Sequence, residues 1–181
     1  MHALLEAKAE DPFTYADVGA TEDDLAEAPR GFHLDRYGAV VGEGRPAFER
    51  CCEALGRIGN YPAFSRIVRR PGELVPGSLF ATVVTHFGFV SVHPCRVIYV
   101  LRGPDRFGFG FGTLPGHAES GEERFTVRLD GQQVRYEVQA FSRPTGLLPR
   151  LGAPVARSFQ LRFQRETLAV MTTYGSGAER R

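Results

Sequence analysis

The chain has 181 residues, a formal charge of +1, and 43% hydrophobic against 24% charged residues. These values suit one globular domain, long enough to bury a core without disulfides or structural metals; they exclude a collagen, a coiled coil, a membrane bundle and a disordered chain. A nearly neutral chain has no global field to draw it onto polyanions, so nucleic acid is not expected as a partner.

Residues 1–14 read as a loosely ordered segment. They lack the basic and apolar regions of a signal peptide, and no stretch of the chain reaches the ~20 apolar residues of a membrane span. The three cysteines, Cys51, Cys52 and Cys95, form no disulfide framework, because neighbours such as Cys51 and Cys52 rarely meet disulfide geometry. A cytoplasmic protein is the expectation. Lys8 is the single lysine among 22 basic residues. The arginines are spread along the chain, which fits a compositional bias better than a dedicated anion site.

Thr21 followed by Glu22, Asp23 and Asp24 has the form of a helix start, with acids in the first turn. Residues 32–41 read as a strand with Phe32, Leu34 and Val40 on one face. Residues 45–58 read as a helix: Phe48, Cys52 and Leu55 form an apolar stripe, and Pro46 fits the first turn. From 65 to 142 the period becomes two. Strands are expected at 65–70, 78–87, 89–101, 106–114, 122–130 and 133–141, with turns at Gly88, at Gly103-Pro104-Asp105 and at Asp130-Gly131. Pro94 marks an edge or a bulge, since proline cannot donate to a ladder. In 107–112, Phe107, Phe109 and Phe111 project to one face and Gly108, Gly110 and Gly112 to the other, leaving room for something to approach closely. A helical turn is expected over 145–151. A long helix follows over 154–173, with Leu151, Val155, Phe159, Phe163, Thr167 and Val170 at spacings of four and three.

This order predicts an α+β fold: a curved antiparallel sheet of about seven strands gripping the long C-terminal helix. The domain should run from 15 to 174, with a disordered tail over 175–181. A sheet curled around one helix leaves an apolar cavity between its concave face and the helix. Tyr99, Tyr136, Val138 and Phe163 are the expected apolar wall of that cavity, with Arg96, Arg143 or His117 orienting a polar end. His117 and Glu119 are the weak catalytic candidates, as an acid–base pair. One histidine with nearby acids falls short of the three or four ligands a zinc site needs, so no metal or cofactor is expected.

The run 108–125 (GFGFGTLPGHAESGEERF) resembles the central signature of uncharacterised protein family 0548, a domain-of-unknown-function family of bacteria and plants. Tyr15 with Val18-Gly19-Ala20-Thr21, the block Pro94-Cys95-Arg96-Val97-Ile98-Tyr99, and Ala140-Phe141-Ser142-Arg143-Pro144 resemble its other blocks. The element order also resembles the helix-grip superfamily of START domains and birch-pollen-type allergens, with one clear helix here where those proteins have two between the first strands. That resemblance implies binding of lipids, sterols, polyketides or other apolar ligands, and cyclase or hydrolase activity in some members. Three functions are therefore weighed. The first is a binding module for a small, largely apolar ligand. The second is a hydrolase or cyclase using His117 and Glu119. The third is a protein-interaction module with no ligand cavity. The sequence leaves the oligomeric state open.

Overall fold

The alternating pattern of the middle of the chain resolves into one seven-stranded sheet. The computed structural model describes residues 2–86, 89–145 and 153–178. The strands are β1 (His33–Glu43), β2 (Ser65–Arg69), β3 (Leu79–His86), β4 (Phe89–Gly103), β5 (Arg106–Thr113), β6 (Glu119–Asp130) and β7 (Gln133–Pro144). Their spatial order is β1-β7-β6-β5-β4-β3-β2, and every pairing is antiparallel. Helix α1 (His2–Glu6) precedes the sheet, α2 (Gly44–Gly56) follows β1, and α3 (Ala153–Ser176) ends the fold. This is the α+β architecture expected from the periodicity: a curved antiparallel sheet with a long C-terminal helix.

The hairpins follow from their turns. Asp130 pairs with Gln133, and Gly131 takes a positive φ of 61° in the two-residue turn between them. Gly103 pairs with Arg106 across Pro104 and Asp105. The turn at Gly88, and 146–151 of the helical turn expected over 145–151, lie outside the described residues. Pro94 sits one residue before β4 acquires β5 as a partner at Cys95–Thr113, so its missing N–H costs no ladder bond on that side. Bulges between Val40 and Gly42 and between Val97 and Tyr99 bend the two strands that carry them.

The concave face carries the main core. Phe109, Phe125, Val127, Val134 and Tyr136 are buried against Cys51 and Leu55 of α2 and Met171 of α3. Phe107, Phe109 and Phe111 do lie on this side, as the alternation predicts. The glycines between them face the convex side, where the ring of Tyr99 lies over Gly110 and those of Phe13 and Tyr15 lie over Gly112. Any side chain at those glycines would collide with the rings.

The chain N-terminal to β1 also packs on the convex face. Leu5 of α1 is buried with Val68, Ala81 and Val83. Thr21 does not cap a helix: the turn there is a three-residue 3-10 segment, Ala20–Glu22, and its N-cap position is Gly19. The Thr21 hydroxyl bonds instead to the Glu122 carboxylate at 2.5 Å. Of the face on β1 formed by Phe32, Leu34 and Val40, the first two lie near Phe141 on the convex side, and Val40 is exposed. The bulge delivers Val41 to the core in its place.

Helix α3 continues past Gly175 to Ser176, and its end docks on β1. Arg50 of α2 donates to the carbonyls of Tyr174 at 3.0 Å and Gly175 at 2.5 Å, placing a cation at the helix C-terminus. Gly175 itself is buried against the backbone of Val41 and Gly42.

Candidate functional site

A cavity of about 350 Å³ opens between the concave face of the sheet and α3. Aromatic and aliphatic groups form much of its wall, among them Tyr61, Phe64, Val84, Phe111 and Phe163. Strand alternation brings polar side chains to the same wall. On β6 the odd positions point inward, so Glu119 and Glu123 share the face of Phe125; on β1, Asp35 shares the face of Tyr37. Asp35 and Glu123 both pair with Ala140 of the intervening β7. Two strand spacings place their backbones ~10 Å apart, with only a methyl group between them.

Two histidines complete the polar end. The rings of His93 and His117 are 4.9 Å apart. The Glu119 backbone N–H donates to His117 Nδ1 at 3.0 Å, so the neutral ring carries its proton on Nε2. Burial, and then the neighbouring His93, push the His117 pKa down to about 3. The Glu119 carboxylate accepts a hydrogen bond from Gln160 of α3 at 2.9 Å, and burial raises its pKa against that contact. Glu123 has no hydrogen-bond or ion-pair partner among the described residues. Burial, reinforced by the Glu119 and Asp35 carboxylates, raises its pKa to about 8. The solvent it touches is that of the cavity.

The residues named from sequence divide between the two faces. His117, Glu119 and Phe163 line the cavity together. Tyr136 and Val138 lie on the concave side but within the packed core, where the Tyr136 hydroxyl accepts from Asn60 at 2.9 Å and meets Thr167 at 3.1 Å. Tyr99, Arg96 and Arg143 lie on the convex side. The Tyr99 hydroxyl bonds to Thr21 at 2.7 Å, Arg96 stacks on Phe13 at 4.4 Å, and Arg143 stacks on Phe32 at 4.5 Å. The bulge at Ile98 puts Tyr99 out of step with Val97, which is why an apolar strand could not be phased from its letters. Asp35 and Tyr37 are not singled out by the sequence, and Glu123 only as one of the acids near His117. For the two acids the available signal is a charged side chain at an inward position of an alternating strand.

On the opposite face, Glu122 is 2% exposed and bonded at both carboxylate oxygens. It accepts from the Tyr15 hydroxyl at 2.7 Å, the Gly19 amide at 2.7 Å, the Thr21 amide at 2.8 Å and the Thr21 hydroxyl. Arg124 donates to the carbonyls of Thr21 and Glu22, and Gln139 bonds to Asp23 and Leu25. These three buried side chains hold 15–25 against the sheet. The vicinal cysteines are unsuited to thiol chemistry, since burial raises Cys51 to about 11 and Cys52 to about 12.

The cavity groups set a pH dependence. Glu123 titrates near 4.5 when unfolded and near 8 when folded, so folding retains a proton and stability falls as pH rises through that range. Glu119 acts in the same direction. His117 acts oppositely: its depressed pKa removes stability as pH falls below 6.5. Between pH 6.5 and 8 the carboxyl effect stands nearly alone. Wild type should lose about 2 kcal/mol over that interval. The Glu123→Gln variant should show a nearly flat profile. Urea melts at three pH values check this, and parallel profiles would contradict it.

A curled antiparallel sheet closed by one long helix over a cavity defines the helix-grip class. Two solved structures show the same fold. The Zhui aromatase/cyclase from Streptomyces sp. R1128 has a TM-score of 0.56 at 14% identity, with 80% of this chain and 94% of that one covered. Ara h 8.0201 has a TM-score of 0.53 at 10% identity, covering 81% and 99%. Within that class, the Domain of unknown function (DUF1990) matches residues 14–170, and the chain belongs to this family. A UPF0548 protein of Deinococcus radiodurans is 34% identical over 175 residues, 88% of this chain and 86% of its own. One of Arabidopsis thaliana is 33% identical over 157 residues, 83% of this chain and 77% of its own. No helix among the described residues is long and apolar enough to cross a membrane.

Proposed function

We propose that this protein binds a small, largely apolar ligand in the cavity between the sheet and α3. The observation that carries this reading is the cavity itself: about 350 Å³ of space, with aromatic walls and a polar group at one end. That combination is typical of small-molecule sites, where apolar walls supply affinity and a few polar groups fix orientation. The reading of an interaction module required an interior without such a space. A hydrolase or cyclase using His117 and Glu119 is the weaker alternative. A histidine with a pKa near 3 is a poor base at neutral pH, and its Nδ1 lone pair is already engaged.

Prodan, a neutral fluorophore sensitive to polarity, tests the cavity directly. It should bind at one saturable site with a blue-shifted emission. Ala140→Phe fills the space between Asp35 and Glu123 and should weaken that binding at least tenfold, with a melting temperature close to wild type. The absence of saturable binding, or binding indifferent to Ala140→Phe, would overturn the reading.

A further inference from the structure

The polar end of the cavity holds a hydrogen-bond donor with nothing to donate to. The Glu119 amide occupies His117 Nδ1 at 3.0 Å, so the imidazole proton sits on Nε2, on the other side of the ring. Nε2 has no partner among the described residues, and it is not sealed off: His117 is half-buried and lines the cavity. The residue is also held in place before anything binds. Its N–H donates to the Leu114 carbonyl at 3.1 Å, and its carbonyl accepts from the Thr145 hydroxyl at 2.8 Å. The Thr145 amide donates to the Ala118 carbonyl at 2.9 Å, and the ring of His93 lies 4.9 Å from that of His117. A phenylalanine would fill the same space without an N–H that needs an acceptor. A fixed, neutral donor open to an internal space is suited to recognition, because little order is lost when a ligand meets it.

Glu123 supplies a second donor on the same wall. Its carboxyl borders the cavity and has no hydrogen-bond or ion-pair partner among the described residues. Burial is the main reason its pKa rises to about 8, so at neutral pH it is a neutral carboxyl with an O–H to give. We propose that the natural ligand is a carbonyl compound: an apolar body with a neutral C=O oxygen that accepts from His117 Nε2–H, the Glu123 carboxyl being the second donor. This rests on the reading of the cavity as a ligand site and adds the class of molecule.

A carbonyl oxygen has two lone pairs and no proton, so it takes donors and requires no acceptor in return. Other head groups suit this end less well. An ammonium group would bring N–H donors against an N–H and an O–H, while the neighbouring Glu119 carboxyl already accepts from Gln160 at 2.9 Å. A carboxylate would add a charge beside Glu119 and Glu123, where burial already disfavours charge. A bare hydrocarbon would displace the cavity solvent and leave Nε2–H without an acceptor. Tyr61, Phe111 and Phe163 on the same wall pack the apolar body.

Benzylacetone, butylbenzene, phenylbutylamine and phenylbutyrate share a phenyl ring and a four-carbon chain, and titration calorimetry of the full chain with each separates the outcomes. Benzylacetone, the ketone, should bind about tenfold tighter than the amine or the carboxylate. His117→Phe should weaken the ketone about tenfold and leave butylbenzene unchanged, which also shows that the variant keeps its cavity. Wild type carries a further readout that does not depend on the variant folding. In an isotope-edited infrared difference spectrum, the C=O stretch of bound benzylacetone should lie at or below its frequency in water. If that stretch matches the value in hexane, if the amine or the carboxylate binds as tightly as the ketone, or if His117→Phe weakens ketone and hydrocarbon alike, the carbonyl assignment fails and the cavity reading survives. If none of the four binds, the cavity reading fails and the carbonyl assignment with it.

Discussion

Replacing Glu122 by alanine should cost about 4 kcal/mol or more and lower the melting temperature by about 10 °C or more. The carboxylate is 2% exposed and accepts four hydrogen bonds, all from residues 15–21. Truncation strands the Gly19 and Thr21 amides and the Tyr15 hydroxyl, each a buried or half-buried donor, while the Thr21 hydroxyl keeps its bond to Tyr99. Leaving such a group unpaired costs ~1–3 kcal/mol, and entering water recovers part of that. The damage should be local first. Amide exchange at Gly19 and Thr21 should accelerate, and trypsin should cut at Arg30 in the native state, before β6 and β7 lose protection. Glu122→Gln keeps the shape but turns an NH2 towards one backbone N–H and one hydroxyl, of which only the hydroxyl can turn to accept, so its loss should be about half as large. A variant within 1 kcal/mol of wild type with unchanged exchange at Gly19 and Thr21 would refute this account of how 15–25 is held.

Gly175→Ala is the second large effect, expected at about 3 kcal/mol and 6–12 °C. In an isolated helix this change would stabilise by ~1 kcal/mol, because alanine is the better helix former. Here a Cβ at 175 would run into the Val41 carbonyl oxygen and press on Gly42. The obstacle is strand backbone at a bulge, not a side chain that can rotate away. The helix end must lift from β1, which also lengthens the Arg50 contacts to the Tyr174 and Gly175 carbonyls. Ser176→Ala, one position on and exposed, should stay within ~0.5 kcal/mol and serves as the control. Equilibrium urea denaturation of both variants measures this; a Gly175→Ala variant as stable as wild type would mean that α3 does not dock there.

Gly175 also shows where reading the sequence stopped. A Gly-Ser-Gly run after a periodic segment is an ordinary helix-stop signal, and the last of the three, Gly177, does take the positive φ of 75° such a stop uses. The first does something unrelated: it lets two backbones meet. Both are the same letter, and only the neighbour across the fold tells them apart. The Phe-Gly alternation of β5 was more legible. Its period fixed which side was aromatic, and the need for close approach on the glycine side followed, although the rings that approach come from 13–15 and from β4.

The candidate site was legible to a similar depth. Alternation along β6 placed Phe125, Val127 and Leu129 inward, and the same parity places Glu119 and Glu123 inward. His117 and Phe163 reach the cavity, while Tyr99 was lost to a bulge that no composition signal marks. Arg96 and Arg143, expected to orient a polar end of the ligand, fall on the convex side of their strands' pleat, over Phe13 and Phe32.

By itself the sequence determined the strands, the two longer helices, the antiparallel hairpins and the presence of a space under α3, because period and turn chemistry are local properties of the chain. The tertiary structure alone decided the fates of Glu122 and Glu123. These adjacent, identical side chains point to opposite faces of one strand. Glu122 meets donors more than a hundred residues upstream and becomes a buried tie. Glu123 faces carboxyls from its own strand and from β1 across a single alanine, without a partner among the described residues. Charge and hydrogen-bond state depend on what the fold brings within a few ångströms, and that information is absent from either residue's place in the chain.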